Sequence, residues 1–299
     1  MKINLNSEDN NRSSSYLVSD YLTKILLAKP RLTGRIESIF EKGFNLLIQE
    51  QLIFVGTDEN NLSAFGIVIP RQTFGKIKSE ISVGQQVRLE STVENNHFIH
   101  LKWTIYSRPR TILVEMTDIK IVATGLPKLA IKQVLKPEVM NAFNQDVIWK
   151  QSGFTRSEYL ENYYMQLRNS WNNDLAKHLI GAGIGLTPSG DDFLQGYIMM
   201  ALVTGVDEQH VIPAIQSALE KRTTTRVSFN YYQVLFKGHV NYMWLNVFQA
   251  IENQDITGLQ NAIQQVQQYG ATSGNDILLG VRTYLNLYKS KYIKGENYG

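Results

Sequence analysis

Two stretches of the chain repeat one another. Thr187-Pro-Ser-Gly-Asp-Asp-Phe-Leu-Gln-Gly196 and Ala271-Thr-Ser-Gly-Asn-Asp-Ile-Leu-Leu-Gly280 align without a gap, with identities at Ser189/Ser273, Gly190/Gly274, Asp192/Asp276, Leu194/Leu278 and Gly196/Gly280. Asp191 is answered by Asn275 and Phe193 by Ile277. Each stretch runs into an apolar segment of helical spacing. A turn repeated together with the helix it opens calls for a helical region built round two related halves, unless the two have converged on one turn. Gly196 and Gly280, one heptad after each serine, let two such helices approach closely.

The helical texture runs from about Pro127 to the C-terminus, with Gly181 read as a helix-ending glycine after the Glu158–Ile180 stretch. Residues 31–106 read differently. Short apolar or alternating runs (LTGRIESIF, FNLLIQ, LIFVGT, FGIVI, QQVRLEST, FIHLKWTIY) are separated by turn residues, and ILVEMTDIKIVATG adds one or two strands. Strands first and helices later predict an α+β chain: a β-rich barrel-like or sandwich-like domain over 31–125, then a mostly helical domain over 126–299 that carries the two Ser-Gly-Asp turn-helix motifs. Residues 1–30 read as a frayed leader followed by a helix with Leu17, Tyr21, Leu22, Ile25 and Leu26 on one face, ended by Pro30.

Composition narrows the chemistry. At 43% hydrophobic and 19% charged residues, this is a globular chain. A net charge of +3, with lysines and arginines scattered, predicts no nucleic-acid partner. No apolar run approaches the roughly 18 residues of a membrane span. The polar start, MKINLNSEDNNRSSS, has no signal-peptide core, so a cytoplasmic location is expected. The absence of cysteine excludes disulfides, thiolate metal sites and a cysteine nucleophile.

The plainest reading of Ser-x-x-Asp before an apolar run is a capping box: the serine oxygen takes the N–H three residues on, and the aspartate reaches back. A box does not need Gly181, Gly183 and Gly185 upstream, which can turn backbone N–H groups toward an anion. Nor does it need Asp191. Two carboxylates beside an anion site require a compensating partner: a divalent metal such as Mg²⁺ on Asp191 and Asp192, a basic side chain, or a ligand whose amide N–H groups they accept. The stretch lacks the Lys-Ser/Thr of a Walker loop, and the helix before it rules out a dinucleotide fingerprint.

Lys221-Arg-Thr-Thr-Thr-Arg226 opens a further helix near Val227. Hydroxyls and guanidinium groups there suit phosphate or carboxylate, as in the locally similar Ser-Thr-Arg-Thr loop of ordinary carbamoyltransferases, although a Thr-capped helix with a solvated basic entrance is the plainer reading. Of the five histidines, none has the spacing of a helical metal site. His97 and His100 read as surface or packing residues, while His178 and His239 read as helical and structural.

Leu186-Thr-Pro-Ser-Gly-Asp-Asp-Phe-Leu-Gln-Gly196, Thr224-Thr-Arg-Val-Ser228 and Thr272-Ser-Gly-Asn-Asp276 together resemble the AllH-type oxamate carbamoyltransferase subunits, and Asn45-Leu-Leu-Ile and Phe65-Gly-Ile-Val-Ile fit the same pattern. The resemblance covers most of the chain. It implies a cytosolic subunit in anaerobic allantoin (purine) breakdown. The reaction implied moves a carbamoyl group between oxalurate and phosphate, giving oxamate and carbamoyl phosphate. It also implies partner subunits, one of them resembling an acyl-CoA synthetase. Ala271 departs from relatives that carry histidine there.

Small anions bearing amide groups suit the residue types. Asp191, Asp192 and Asp276 are the candidate catalytic carboxylates. Gly185, Thr187, Ser189, Gly190, Thr224, Arg226, Ser273, Gly274 and Asn275 are the candidate substrate and anion ligands. Two other readings stand beside this one: a non-catalytic scaffold or small-anion-binding subunit, and a metal-dependent hydrolase using Asp191 and Asp192. The apolar helical faces are also compatible with a homo-oligomer.

Overall fold

A computed structural model of the chain describes residues 16–94, 98–106 and 111–293. The leader (1–15) and His97 lie outside the described residues. The chain forms two compact units. One runs to Gly125 and takes in His239–Tyr242; the other holds Leu126–Gly238 and resumes at Met243.

In the first unit, eight strands close into a barrel in the order β1-β5-β4-β3-β2-β6-β7-β8. They are β1 (Leu17–Ser19), β2 (Arg31–Ile39), β3 (Gly43–Ile48), β4 (Gln51–Gly56), β5 (Gly66–Val68), β6 (Gln86–Glu94), β7 (Phe98–Tyr106) and β8 (Thr111–Val122). Period-two patterning builds the core: Ile99, Leu101, Trp103 and Ile105 of β7, with Ile112, Val114 and Met116 of β8, are all buried. Pairing is antiparallel except where β1 meets β8 and β4 meets β5, both parallel. Those parallel contacts require crossovers and close the barrel without an open edge.

Leu17, read as part of the first helix, is in a strand. Leu17 pairs with Val68 on one side and Lys120 on the other. The helix α1 (Asp20–Leu27) begins only after Ser19, whose Oγ accepts the Leu22 N–H at 3.1 Å. Its Leu22 and Leu26 join the barrel core. The patterning also missed α2 (Arg71–Lys78), a short helix after Pro70 that seats Phe74 and Ile77 in that core. His239, read as helical, instead forms a β-bridge with Gly125, and its Nδ1 lies 3.1 Å from Thr124 Oγ1.

The second unit is helical: α3 (Ile131–Val134), α4 (Pro137–Phe143), α5 (Asp146–Lys150), α6 (Glu158–Leu167), α7 (Asn173–Ala176), α8 (Ser189–Thr204), α9 (Glu208–Leu219), α10 (Arg226–Phe236), α11 (Tyr242–Glu252), α12 (Ile256–Gln267) and α13 (Ser273–Ile293). The stretch 158–181, read as one helical run, breaks between α6 and α7. Asn172 there caps α7 by accepting from the Asp174 and Leu175 N–H groups. From Pro188 to Val203 nearly every residue of α8 is buried. A helix with no polar face belongs at the centre of its unit.

Candidate functional site at the paired helix starts

The two repeated stretches open equivalent helices, since α8 begins at Ser189 and α13 at Ser273. Contacts at the two starts and farther along set the direction: Thr187 Oγ1 lies 2.9 Å from Ser273 Oγ just before and at the helix starts, and Thr204 Oγ1 lies 2.5 Å from Tyr284 Oη well along both helices. The helices therefore run parallel, with both N-termini at one end. The contact is reciprocal at the glycines. A Cβ on Gly196 would lie 2.0 Å from Ile277 O, and one on Gly280 would lie 2.0 Å from Phe193 O.

The capping box does not form on α8. Its cap residue is Pro188, which has no side-chain hydrogen bond, and the Pro188 carbonyl takes the N–H groups of both Asp191 and Asp192. Ser189 is already inside the helix, where it faces the neighbouring repeat. The serines and aspartates are thus exchanged between repeats. The Ser189 hydroxyl acts on Asp276, while the Ser273 and Thr187 hydroxyls act on Asp192. Thr187 Oγ1 and Ser273 Oγ are 2.9 Å apart and half-buried. The two carboxylates behind them are buried, with Asp192 at 2% and Asp276 at 0% exposure. A line of hydroxyls therefore leads from the partly exposed turn to a closed acidic pair.

Burial raises both carboxyls, because the charged form loses its water. Asp192 is held well above the usual carboxylate range by burial, reinforced by the negative field of Asp276 and resisted by Ser273. Asp276 is pushed up to about 6 by burial, against the Ser189 and Thr272 hydroxyls and the Gly153 N–H. That N–H donates to Asp276 Oδ1 at 2.8 Å. Oδ2 of Asp192 and Oδ2 of Asp276 have no hydrogen-bond partner among the described residues.

A pH dependence follows. The folded state holds the Asp276 proton up to about pH 6, whereas an unfolded aspartate releases it near pH 3.9. The contribution to stability is therefore full below about pH 4 and is lost as pH rises through 6, by roughly 3 kcal/mol. Urea unfolding from pH 4 to 8 is expected to show this fall in the wild type and a flatter profile in Asp276→Asn. Identical profiles would contradict the assignment.

Asp191 points elsewhere. Its Oδ1 accepts from the Gly181 N–H (3.1 Å) and Tyr232 Oη (3.1 Å), and its Oδ2 from Thr224 Oγ1. It ties the start of α8 to the glycine loop and to α10. Thr225 continues the seam, its Oγ1 donating to Leu186 O. Gly181, Gly183 and Gly185 all have positive φ, as the turn requires.

Gly190 and Gly274 hold corresponding places. Their N–H groups donate to Ala182 O and Tyr269 O. A Cβ on them would lie 2.2 Å from Leu179 O and 1.8 Å from Val266 O. These are close-packing positions whose N–H groups are already engaged. Asn275 is buried at the place equivalent to Asp191, with no donor to its Oδ1 among the described residues. Arg226 is the exposed first residue of α10, next to the Thr225 cap. Gly153 went unnoticed in the sequence, where Ser-Gly-Phe carries no distinguishing pattern. A Cβ there would lie 2.0 Å from Ser189 Oγ and 3.3 Å from Asp276 Oδ2.

Among the described residues, no group of three or more His, Asp or Glu side chains converges to hold a metal. Asp191 also spends both oxygens on protein donors, which weighs against an Asp191–Asp192 metal pair. No helix of the described residues is long and apolar enough to cross a membrane.

Two family models match the chain. Residues 179–285 match the oxamate carbamoyltransferase subunit AllH, and residues 14–119 match the AllH family N-terminal domain. Together they cover most of the chain. No curated protein and no solved structure matches it.

Proposed function

The chain belongs to the AllH family, and from that premise we propose that its paired helix starts form the carbamoyl-transfer site of an oxamate carbamoyltransferase. The observation that carries this reading is the path Thr187–Ser273–Asp192, which joins a partly exposed turn to a buried carboxyl. In the direction of oxalurate breakdown, a phosphate oxygen attacks the carbamoyl carbon, the C–N bond to oxamate breaks, and the departing nitrogen needs a proton. Asp192 has its pKa raised by burial and supplies that proton through the Ser273 hydroxyl. In the reverse direction, oxamate nitrogen attacks carbamoyl phosphate, phosphate leaves, and the proton returns along the same path.

Thr187 and Ser273 are the residues that touch substrate, and Thr224 and Arg226 offer a hydroxyl and a cation to its anionic end. Asp276 sets the charge of Asp192, while Asp191 positions the turn. Catalysis would rest mainly on orientation and on fixed dipoles, including the positive ends of two parallel helices. The chain would work in the cytoplasm, in allantoin breakdown, with partner subunits that include an acyl-CoA-synthetase-like one.

A thermal-shift series with phosphate, carbamoyl phosphate, oxamate and oxalurate tests ligand binding. At 100 times its dissociation constant a ligand stabilises by about 2.7 kcal/mol. A shift in the wild type that shrinks in Ser273→Ala is expected. No shift with any of the four, in the chain assembled with its partners, would contradict the proposal. The near-complete burial of Asp192 and Asp276 favours a second reading, in which the pair only locks the helices of a scaffold subunit. The Asp192→Asn variant discriminates between the two.

A further inference from the structure

We propose that the glycine loop between Gly181 and Thr187 is the docking point for another subunit of the transferase, which grips Ile184 and Leu186 in an apolar recess rimmed by carboxylates. The inference rests on the subunit reading above and adds the surface and its complement.

Ile184 is 97% exposed and Leu186 51% exposed, in an open loop that runs into buried residues only from Pro188 onward. Leaving two large aliphatic side chains in water forgoes the gain of burying them, so an exposed apolar cluster of this kind marks an interaction site. The cluster is held in place from beneath. A Cβ on Gly181 would lie 2.4 Å from Thr223 O, Thr224 is bonded to Asp191, and Thr225 Oγ1 donates to Leu186 O. One turn along α10, Phe229 adds a third apolar surface at 42% exposure; its N–H donates to Thr225 O. Ile184 is flanked by Gly183 and Gly185, with φ of 124° and 101°, so no bulky neighbour shields it.

Charge defines the partner further. The loop 181–188 carries no charged residue, and the segment 221–226 beside it carries Lys221, Arg222 and Arg226 against the single carboxylate of Glu220 just before it. The complementary surface is therefore an apolar recess with an acidic rim, whose contribution weakens with salt. The family description names the chain as a subunit, and the loop leads directly into Thr187. A chain docked here would sit beside the hydroxyl path and could complete its substrate mouth.

The test uses the assembled enzyme. A photo-crosslinking residue is placed at position 184 in the full chain, and Ile184→Asp/Leu186→Asp is made alongside the milder Ile184→Ser/Leu186→Ser. The expected result is a crosslink to a partner subunit and a loss of association of about tenfold or more in both double variants, with the far-ultraviolet spectrum of the isolated chain unchanged. Crosslinks only to the chain itself, or only to a second copy of it, would overturn the proposal; so would double variants that assemble as the wild type does. Carbamoyl transfer by the wild-type complex is measured in parallel. Transfer without loss of association leaves the function standing and removes the docking point, while loss of association without any wild-type transfer does the reverse.

Discussion

Gly196→Ala and Gly280→Ala are each expected to destabilise the second unit by about 3 kcal/mol or more. Helix propensity alone predicts the opposite, since alanine is favoured over glycine in a helix interior by about 1 kcal/mol. The packing decides the sign. At either position the added methyl would lie 2.0 Å from a carbonyl oxygen of the facing helix, and at Gly280 the Tyr197 backbone nitrogen is only 2.9 Å away. These are backbone atoms, which have no rotamer to escape into. The helices would have to separate, opening gaps beside Phe193, Leu194 and Leu278, all at 0% exposure. Denaturant midpoints measure the effect. A change within about 0.5 kcal/mol of wild type would show that the parallel packing of α8 on α13 is wrong.

Asp192→Asn is expected to slow carbamoyl transfer by roughly 10²–10⁴-fold while the chain stays folded. The amide has the carboxyl's shape but cannot carry the proton to or from Ser273. It also removes one member of a buried pair in which Asp276 opposes ionisation of Asp192, so stability at neutral pH is expected to hold or rise. A pair that only locks helices predicts wild-type turnover in this variant. Transfer at the wild-type rate would remove Asp192 from the chemistry.

The sequence carried the order of layers well. Alternating runs between residues 31 and 106 became strands of a barrel, and the later segments became helices, because burial patterns are local and periodic. The first helix was legible from Asp20 onward. Leu17 misled because an apolar residue fits a helical face as well as a buried strand, and its pairing with Val68 and Lys120 is non-local.

The repeated turn was legible as a repeat, but its internal wiring was not. Ser189 and Asp192 have capping-box spacing, yet the Pro188 carbonyl takes the N–H groups and frees the serine for Asp276 of the other repeat. Exchange of partners between two copies of one motif leaves no trace in either copy. Asp191 and Asp192 are neighbours in sequence but point to different partners, since adjacent residues on a helix face roughly 100° apart. Gly153 was invisible because its role depends on a contact with α13 from far along the chain.

The most direct test of the central claim is a double-mutant cycle on transfer, using Ser273→Ala, Asp192→Asn and the combination in the assembled enzyme, with oxalurate formed from oxamate and carbamoyl phosphate as the readout. If the hydroxyl and the carboxyl form one proton path, either change alone removes it, and the double variant is no slower than the slower single one. Losses that multiply would mean that Ser273 and Asp192 act independently, and the path from the turn to the buried pair would not be the route of the proton.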